Sequence, residues 1–583
     1  MEKENKICQN CKKDFTIESE DFIFYDKIKV PVPTFCPECR SIRRLLWRNE
    51  HTLYRRICNL CQKQIISIYS QEYPGLVYCN KCLHSDKWDS NNQKEYDFSI
   101  PFFIQFKELI NSTPLLALNI FNSENCQYNN HMSNCKDCYL CFRVHNSKNM
   151  LYTYRAKPCN DCTDCMGVFN SSWLYSCIEC IDSNNSKYLE FCSGCIESLF
   201  LYDCRNCMSC YMCSNLRNKQ YCFMNEQLTK EEYLKRISEI DFGSRNTTNK
   251  LFLKFENIKA NAIRKYALIT NSSNVTGDNI RNSENCYQCF DVADIKNGAY
   301  LLEVLHSSRD SYDAIGGGMN ELVYEFGGVS CNNAKFCLDV SESRNIEYCQ
   351  YSENNHDLFG CVGLKHKEYC ILNKQYTKEE YELLLPKIIN HMNNMPYISK
   401  DNVIYKYGEF FPEELSPFAY NESYAQNFFP LTKKQAFDTK TGWHEQEKRN
   451  YPLTIDSSNL EDNISNVTKN ILEETIGCDH RGECQENNSE CKAICISAFK
   501  ITPEELQFYK KMNIPLPTLC PNCRQHKRLL QKNPIKLWHR QCMCSTKHTH
   551  HKDERCDIKF ETIYSPDKSE IVYCSKCYQQ EIY

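Results

Sequence analysis

All sixteen cysteines from Cys126 to Cys222 stand at positions divisible by three, and the seven from Cys286 to Cys370 share one remainder of their own. Chance placement would give that almost never, so the chain winds upon itself with one side chain in three turned inward. A further spacing of fifteen aligns Cys162, Cys177, Cys192, Cys207 and Cys222 in one column and Cys165, Cys180, Cys195 and Cys210 in a second. Five inward positions per repeat predict a narrow β-solenoid of fifteen residues per turn, with equivalent residues stacked in ladders. Cysteine suits such an interior because it is compact and behaves as a small hydrophobe.

The later stretch keeps the rhythm with less sulfur. Steps of fifteen from Cys286 read Leu301, Gly316, Cys331, Ile346 and Cys361, beside a ladder of Cys289, Val304, Met319, Ala334, Cys349 and Leu364. Apolar residues replace cysteine freely, which argues for packing rather than a metal or disulfide at each rung; bound metal or redox work in the dense Cys204, Cys207, Cys210, Cys213 run is the competing reading. Both stretches end alike, Asn218 to Tyr233 returning as His366 to Tyr381. In each, a Thr-x-x-Glu capping box, at Thr229 and Thr377, predicts a helix that seals the open end. Residues 98–112 read as a lead-in helix and 229–265 as a helical hairpin. Gly316-Gly-Gly318 lacks the strand-turn-helix context of a phosphate loop and reads as a tight corner.

Forty-two cysteines in 583 residues fit either an extracellular disulfide framework or reduced, metal-binding thiols. The polar stretch from Met1 to Lys6 has no signal-peptide character, and no run of about 18 apolar residues follows. A cytoplasmic protein with reduced thiols and no membrane contact is therefore expected. Seventy basic against 74 acidic residues leave a net charge of −4, so any anionic partner must be met locally.

The two ends carry metal-ligand spacing. Cys8-x2-Cys11 precedes Cys36-x2-Cys39, and Cys58-x2-Cys61 precedes Cys79-x2-Cys82. Two such knuckles close a tetrahedron of thiolates around Zn2+ at about 2.3 Å and leave no place for water, so these sites are structural. At an offset of 484 residues, Cys11, Pro33-Thr34, Cys36-Pro37, Cys39-Arg40 and Arg44-Leu45-Leu46 recur as Cys495, Pro517-Thr518, Cys520-Pro521, Cys523-Arg524 and Arg528-Leu529-Leu530. In this second copy Cys491 and Cys495 read as a widened knuckle facing Cys520 and Cys523. Cys556, Cys574 and Cys577 need a fourth ligand from Cys542, Cys544 or the inserted His548, His550 and His551. Cys478, His480 and Cys484 read as exposed spares, with a further metal half-site as the alternative, and the histidine insertion reads as a surface loop, with an open catalytic metal site as the alternative. About four structural zinc ions are expected, and their binding energy should serve as folding energy for modules too small to stabilise themselves. A capping box from Thr502 to Glu505 predicts a helix between the knuckles.

For binding, the best lead is arginine. Arg40, Arg43, Arg44, Arg48, Arg55 and Arg56, and their counterparts Arg524, Lys527, Arg528, Lys532, Lys536 and Arg540, are interleaved with Trp47, Tyr54 and Trp538. Such clusters can grip phosphates and stack on bases of a nucleic acid; the alternative is that they pair with carboxylates of the protein itself. No P-loop, dinucleotide fingerprint, serine elbow or His-Glu-x-x-His is present, and no catalytic residue is singled out.

The Pro-x-Pro-Thr-x-Cys-Pro-x-Cys-Arg and Val-Tyr-Cys-x-Lys-Cys motifs of the ends, Asn373 to Tyr381 and Gly408-Glu-Phe-Phe-Pro412 resemble a family of cysteine-rich zinc-knuckle proteins from candidate-phylum bacteria, over nearly the whole chain. The resemblance brings no activity. Proteins of this kind sometimes carry a CaiB/BaiF, or CoA-transferase, label, yet nothing in this sequence matches that fold or its aspartate nucleophile. The expected fold is thus mainly β with some α. It comprises a double zinc-knuckle module (1–92), a first β-solenoid with its lead-in helix (93–228), a helical connector (229–268) and a second β-solenoid (269–376). A capping helix (377–392), an irregular aromatic and proline strap with linker (393–475) and a second double zinc-knuckle module (476–583) follow. The function expected is a zinc-binding scaffold or adaptor for a macromolecule, with nucleic acid as one candidate partner; the alternatives are a metal- or cofactor-dependent enzyme and a thiol-rich metal store.

Overall fold

The computed structural model describes residues 2–88, 92–305, 307–317, 321–328, 330–445, 451–481, 493–551 and 555–583. Strands dominate, with twelve α-helices among the described residues. Two eleven-stranded, mostly parallel sheets run from Ile120–Phe121 to Glu226–Gln227 and from Ile269–Thr270 to Lys374–Gln375; we refer to them as the first and second stack. Met319 and Gly318 lie outside the described residues.

Residue i pairs with i+12 throughout the first stack, as in Phe142↔Tyr154↔Met166↔Ile178↔Glu190. The chain therefore returns alongside itself after twelve residues, four triplets rather than the five expected. Any multiple of three brings cysteines into register, so the columns at fifteen carried no information beyond the triplet itself; backbone pairing selects the shorter return. In the second stack one 13-residue step, Leu302↔Ile315, is followed by an 11-residue step, Gly327↔Leu338. These two cancel, whereas the 11-residue steps that open the stack, as in Ser273↔Glu284, give way to 12 at a bulge between Val275 and Gly277. Buried core residues accordingly leave the common remainder at Ala314, Val323 and Phe326 and rejoin it at Cys331.

The backbone explains the triplet. In the first stack the residue before nearly every buried position has left-handed φ, from Asn125 (49°) through Tyr128 (55°) to Met224 (53°). This conformation costs an L-residue about 1–2 kcal/mol. Asn and Asp tolerate it best, and here they also form ladders: Asn122 donates to Asn134, Asn134 to Asn146, and Asn149 to Asp161. Each corner turns the next side chain into a buried cluster made entirely of positions divisible by three, including Cys162, Cys177, Val168, Leu189 and Cys204. Serine fits the same positions by satisfying its hydroxyl internally: Ser147 Oγ donates to the His145 carbonyl at 2.8 Å and accepts from the Cys159 N–H at 3.0 Å.

Both stacks end on a two-residue antiparallel return, Cys222–Phe223 against Glu226–Gln227 and Glu368–Ile371 against Lys374–Gln375. At its turn a carboxamide meets both backbone groups of one residue in the preceding return. Asn225 accepts from the Ser214 N–H and donates to the Ser214 carbonyl, and Asn373 does the same for Val362. These returns and carboxamides satisfy the sheet edges before the helices Lys230–Ser238 and Lys378–Asn394 begin, so the seal precedes the expected helices. Thr229 and Thr377 cap those helices as the sequence predicts, and the lead-in helix spans Phe102–Ser112.

Adjacent positions should respond oppositely to charge. Cys195 is fully buried, whereas Ile196 is 41% exposed. Cys195→Asp is expected to lower the midpoint of urea unfolding markedly, by several kcal/mol, and Ile196→Asp to change stability by no more than about 0.5 kcal/mol. Similar losses for both would contradict the triplet assignment.

Candidate metal centres and the clamps they hold

Four sets of four sulfurs come within 4.8 Å of one another: Cys8, Cys11, Cys36, Cys39; Cys58, Cys61, Cys79, Cys82; Cys478, Cys495, Cys520, Cys523; and Cys542, Cys556, Cys574, Cys577. Every set is built alike. Its third cysteine is the N-cap of a helix, with φ/ψ of −66/159 at Cys36, −67/161 at Cys79, −63/160 at Cys520 and −63/163 at Cys574. The backbone N–H of that residue donates to the first sulfur of the set, at 3.3 Å from Cys36 to Cys8 and 3.2 Å from Cys520 to Cys478. Helix N-termini and N–H donors favour thiolate over thiol. At Cys58 burial opposes ionisation, but the N–H groups of Cys61 and Cys79 bring the thiol down to about 6. At Cys478 the contact with Cys495 pushes upward, yet Cys520 and Cys523 outweigh it and hold the thiol at about 6. Four convergent sulfurs, the first of which accepts a backbone N–H at a helix N-terminus, fit a closed tetrahedral site for a soft or borderline metal ion.

Cys478 is a correction to the sequence reading. It is fully buried and takes the place of Cys8, while Cys491 and Cys484 lie outside the described residues. The equivalence extends to the backbone: Gln9 donates to the Thr34 carbonyl as Asp479 does to that of Thr518. A long insertion separates Cys478 from Cys495, so the short-gap rule passed over it. In the fourth set Cys542 supplies the missing ligand, taking the place of Cys58. Cys544, His548 and His551 are not loose either; they pack beside Cys577, and His551 is only 8% exposed.

The cysteines of the stacks behave differently. Their sulfurs donate to carbonyls two residues back and nine ahead, as Cys141 does to Tyr139 and Met150 at 3.3 and 3.2 Å. A thiol that donates keeps its proton, and burial pushes Cys141, Cys213, Cys331 and Cys370 up to about 12. Six others shift downward through hydrogen bonds from neighbouring thiols: Cys138 acts on Cys126 and Cys135, Cys162 on Cys159, Cys289 on Cys286, and Cys195, Cys204 and Cys210 on Cys207, whereas at Cys192 burial opposes the shift and Cys180, Cys195 and Cys204 outweigh it.

Most of the arginines turn inward, as the reading that pairs them with carboxylates of the protein itself expects. Arg40, Arg43 and Arg44 are at most 1% exposed, and Arg48, Arg56, Arg524 and Arg528 are also buried. Arg40 and Arg44, one helical turn apart, hold the two carboxylate oxygens of Asp313 in the second stack, each at 3.0 Å. Arg524 and Arg528 hold Asp164 in the first stack in the same manner. The pattern continues around both pairs: Tyr300 donates to Asp21 at 2.9 Å and Tyr152 to Glu505 at 2.8 Å, and Tyr25 meets Tyr324 edge-on as Tyr509 meets Tyr175. Burial opposes the charge on Arg40, but Asp313 overrides it and keeps Arg40 above its ordinary value. Arg43 pairs with Glu325 and Glu409, and Arg48 with Glu50. Lys532 contacts Asp291 and Glu303, and Arg540 donates to the Ser565 and Glu570 carbonyls. Arg55, Lys527 and Lys536 are exposed.

Each module also grips the chain leading into the other stack. Val77–Tyr78 pairs in parallel with Leu115–Leu116 ahead of the first stack, and Ile571–Tyr573 with Ile263–Lys265 ahead of the second. The N-terminal module thus joins its first metal set to the second stack and its second set to the start of the first stack; the C-terminal module makes the reciprocal connection. The strap completes the first clamp, with Phe411 packed on Phe106 and Trp47.

No protein-family model matches this sequence, and no curated protein matches it. One solved chain it resembles, provisionally described as an acetyltransferase from Desulfovibrio desulfuricans G20, is 10% identical with a TM-score of 0.09, over 44% of this chain and 61% of that one. So slight a likeness carries no argument.

Two outcomes test the clamps. Asp313→Ala removes the carboxylate that both buried guanidinium groups hold, leaving Arg40 only the Phe35 carbonyl and Arg44 only Ser41 and the more distant Glu325, and should cost about 3–5 kcal/mol in denaturant unfolding, with Asp164→Ala costing a similar amount. A strong chelator should melt the chain ends first, seen as early loss of amide-exchange protection in 1–88 and 493–583 while the stacks stay protected; uniform protection would count against structural metal.

Proposed function

We propose that this protein is a zinc-stapled scaffold in which two β-solenoids of twelve residues per turn are clamped side by side by duplicated zinc modules. The observation that carries the reading is the reciprocal pair of forks, Arg40 and Arg44 on Asp313 and Arg524 and Arg528 on Asp164, each borne on a helix whose first turn belongs to a four-sulfur set. Four-sulfur sites leave no coordination position for substrate, which suits a structural ion and not a catalytic one. Zinc is favoured over other metals because four thiolates without oxygen ligands match its tetrahedral preference.

A scaffold of this kind presents two long, rigid walls to a macromolecular partner. With the best arginine clusters engaged inside the protein, nucleic acid is a weaker candidate for that partner than the sequence suggested. No helix among the described residues is long and apolar enough to cross a membrane.

Metal analysis of the full chain purified under reducing conditions tests the reading. The scaffold predicts zinc at about four to five ions per chain in sulfur-rich coordination, and zinc-dependent retention of a partner that co-purifies at fixed stoichiometry. A redox-active iron or an organic cofactor would favour an enzyme, and a much larger zinc load would favour storage.

A further inference from the structure

The C-terminal module holds a second convergent set that its N-terminal copy lacks: Cys544, His548, His551 and Cys577 place one ligand atom each within 4.8 Å of one another. Cys577 belongs to this set and to the four-sulfur set of Cys542, Cys556 and Cys574. We propose that the Cys577 thiolate bridges two metal ions, making this end a dinuclear thiolate centre for zinc-class dications. The proposal rests on the reading that the four-sulfur sets are filled by metal.

The geometry fits ligation. Sulfur and nitrogen ligands on one tetrahedral zinc lie about 3.3–3.8 Å apart. Cys544 Sγ lies 3.2 Å from His548 Nε2, and Cys577 Sγ lies 3.5 Å from His551 Nε2. The insertion is folded to present these groups: His548 and His551 exchange backbone hydrogen bonds, each 3.3 Å, in a tight turn that brings both imidazoles to one side. His550 Nε2 also approaches Cys577, at 3.3 Å, and Glu581 Oε1 lies 3.2 Å from His548 Nε2, so a neighbouring ligand and a carboxylate border the second ion.

Comparison within the chain isolates the addition. Leu60 stands where Cys544 stands, between Cys58 and Cys61 in the N-terminal copy, and the residues from Ser545 to Arg555 have no counterpart there. A four-thiolate zinc site carries two formal negative charges in a partly buried setting. A second dication that brings only one further thiolate and two neutral imidazoles lowers that to one, easing the cost of burying the cluster. Binding the second ion releases one proton, from Cys544, because Cys577 is already ionised by the first.

Exchange of the full chain into 113Cd tests the bridge. The expected spectrum has five resonances, two of which split each other by scalar coupling through the shared sulfur. Cys544→Leu, which restores the residue of the N-terminal copy, should lower the count to four and abolish the splitting without loss of the remaining signals; His548→Ala with His551→Ala should do the same. Four uncoupled resonances in the unaltered chain, or five without splitting, would overturn the bridge while leaving the structural sites intact. Fewer than four would instead overturn the metal reading beneath it, and the bridge with it.

Discussion

Because the backbone turns a left-handed corner at every third residue, the first stack can place only one side chain in three in its core, and each side of the winding is about 10 Å long at a strand's rise per residue. Four side chains must share that cross-section in each twelve-residue return. Cysteine, serine, alanine, valine, leucine and methionine fit; among the described residues Phe326 is the aromatic that enters a core, in the irregular part of the second stack, while Tyr154, Tyr175 and Tyr324 lie on the outer face and become the surfaces on which other parts of the chain dock. The corner also selects Asn and Asp, whose side chains continue the backbone ladder across successive returns. Core size, outer aromatics and carboxamide ladders are thus consequences of one conformational constraint.

The last return of the first stack is closed by Asn225 and that of the second by Asn373, and the two stacks meet directly where Arg143 pairs with Glu303 and Arg155 with Asp291 and Glu303. The modules add a second tie on either side of that contact. Each is too small to hold its shape by burial, and in each the helix that carries the paired arginines begins at a cysteine of a four-sulfur set. A metal ion held by those sulfurs would fix the helix, the helix aims the guanidinium groups, and the buried carboxylate of Asp313 or Asp164 ties them to the stack. Such ion pairs in a dry interface give geometric definition more than net stability, which suits the alignment of two rigid bodies.

The triplet, the duplication, the capping threonines and most metal ligands were legible because local spacing encodes them. The return length was not, since twelve and fifteen are both multiples of three and only inter-strand pairing distinguishes them. Cys478 escaped because its partner Cys495 lies beyond an insertion; the duplication demanded a cysteine upstream of Cys495, and Cys478, Cys484 and Cys491 all offered one. The arginines were visible as a cluster, but their burial depends on carboxylates hundreds of residues away. Asp164 and Asp313 sit at matching places in the two stacks, a signal that pairs them only once the modules are known to cross over.

The claim on which this account rests is that metal is confined to the modules while the thiols of the stacks are protonated packing groups. Anomalous diffraction from crystals of the full chain, recorded on either side of the zinc absorption edge, tests it most directly. The account predicts peaks at the centres of the sulfur sets in residues 8–82 and 478–577 and none along the cysteines between Cys126 and Cys370. A peak among the sulfurs of Cys192, Cys195, Cys204 and Cys207, whose thiols lie within hydrogen-bonding reach of one another, would contradict it.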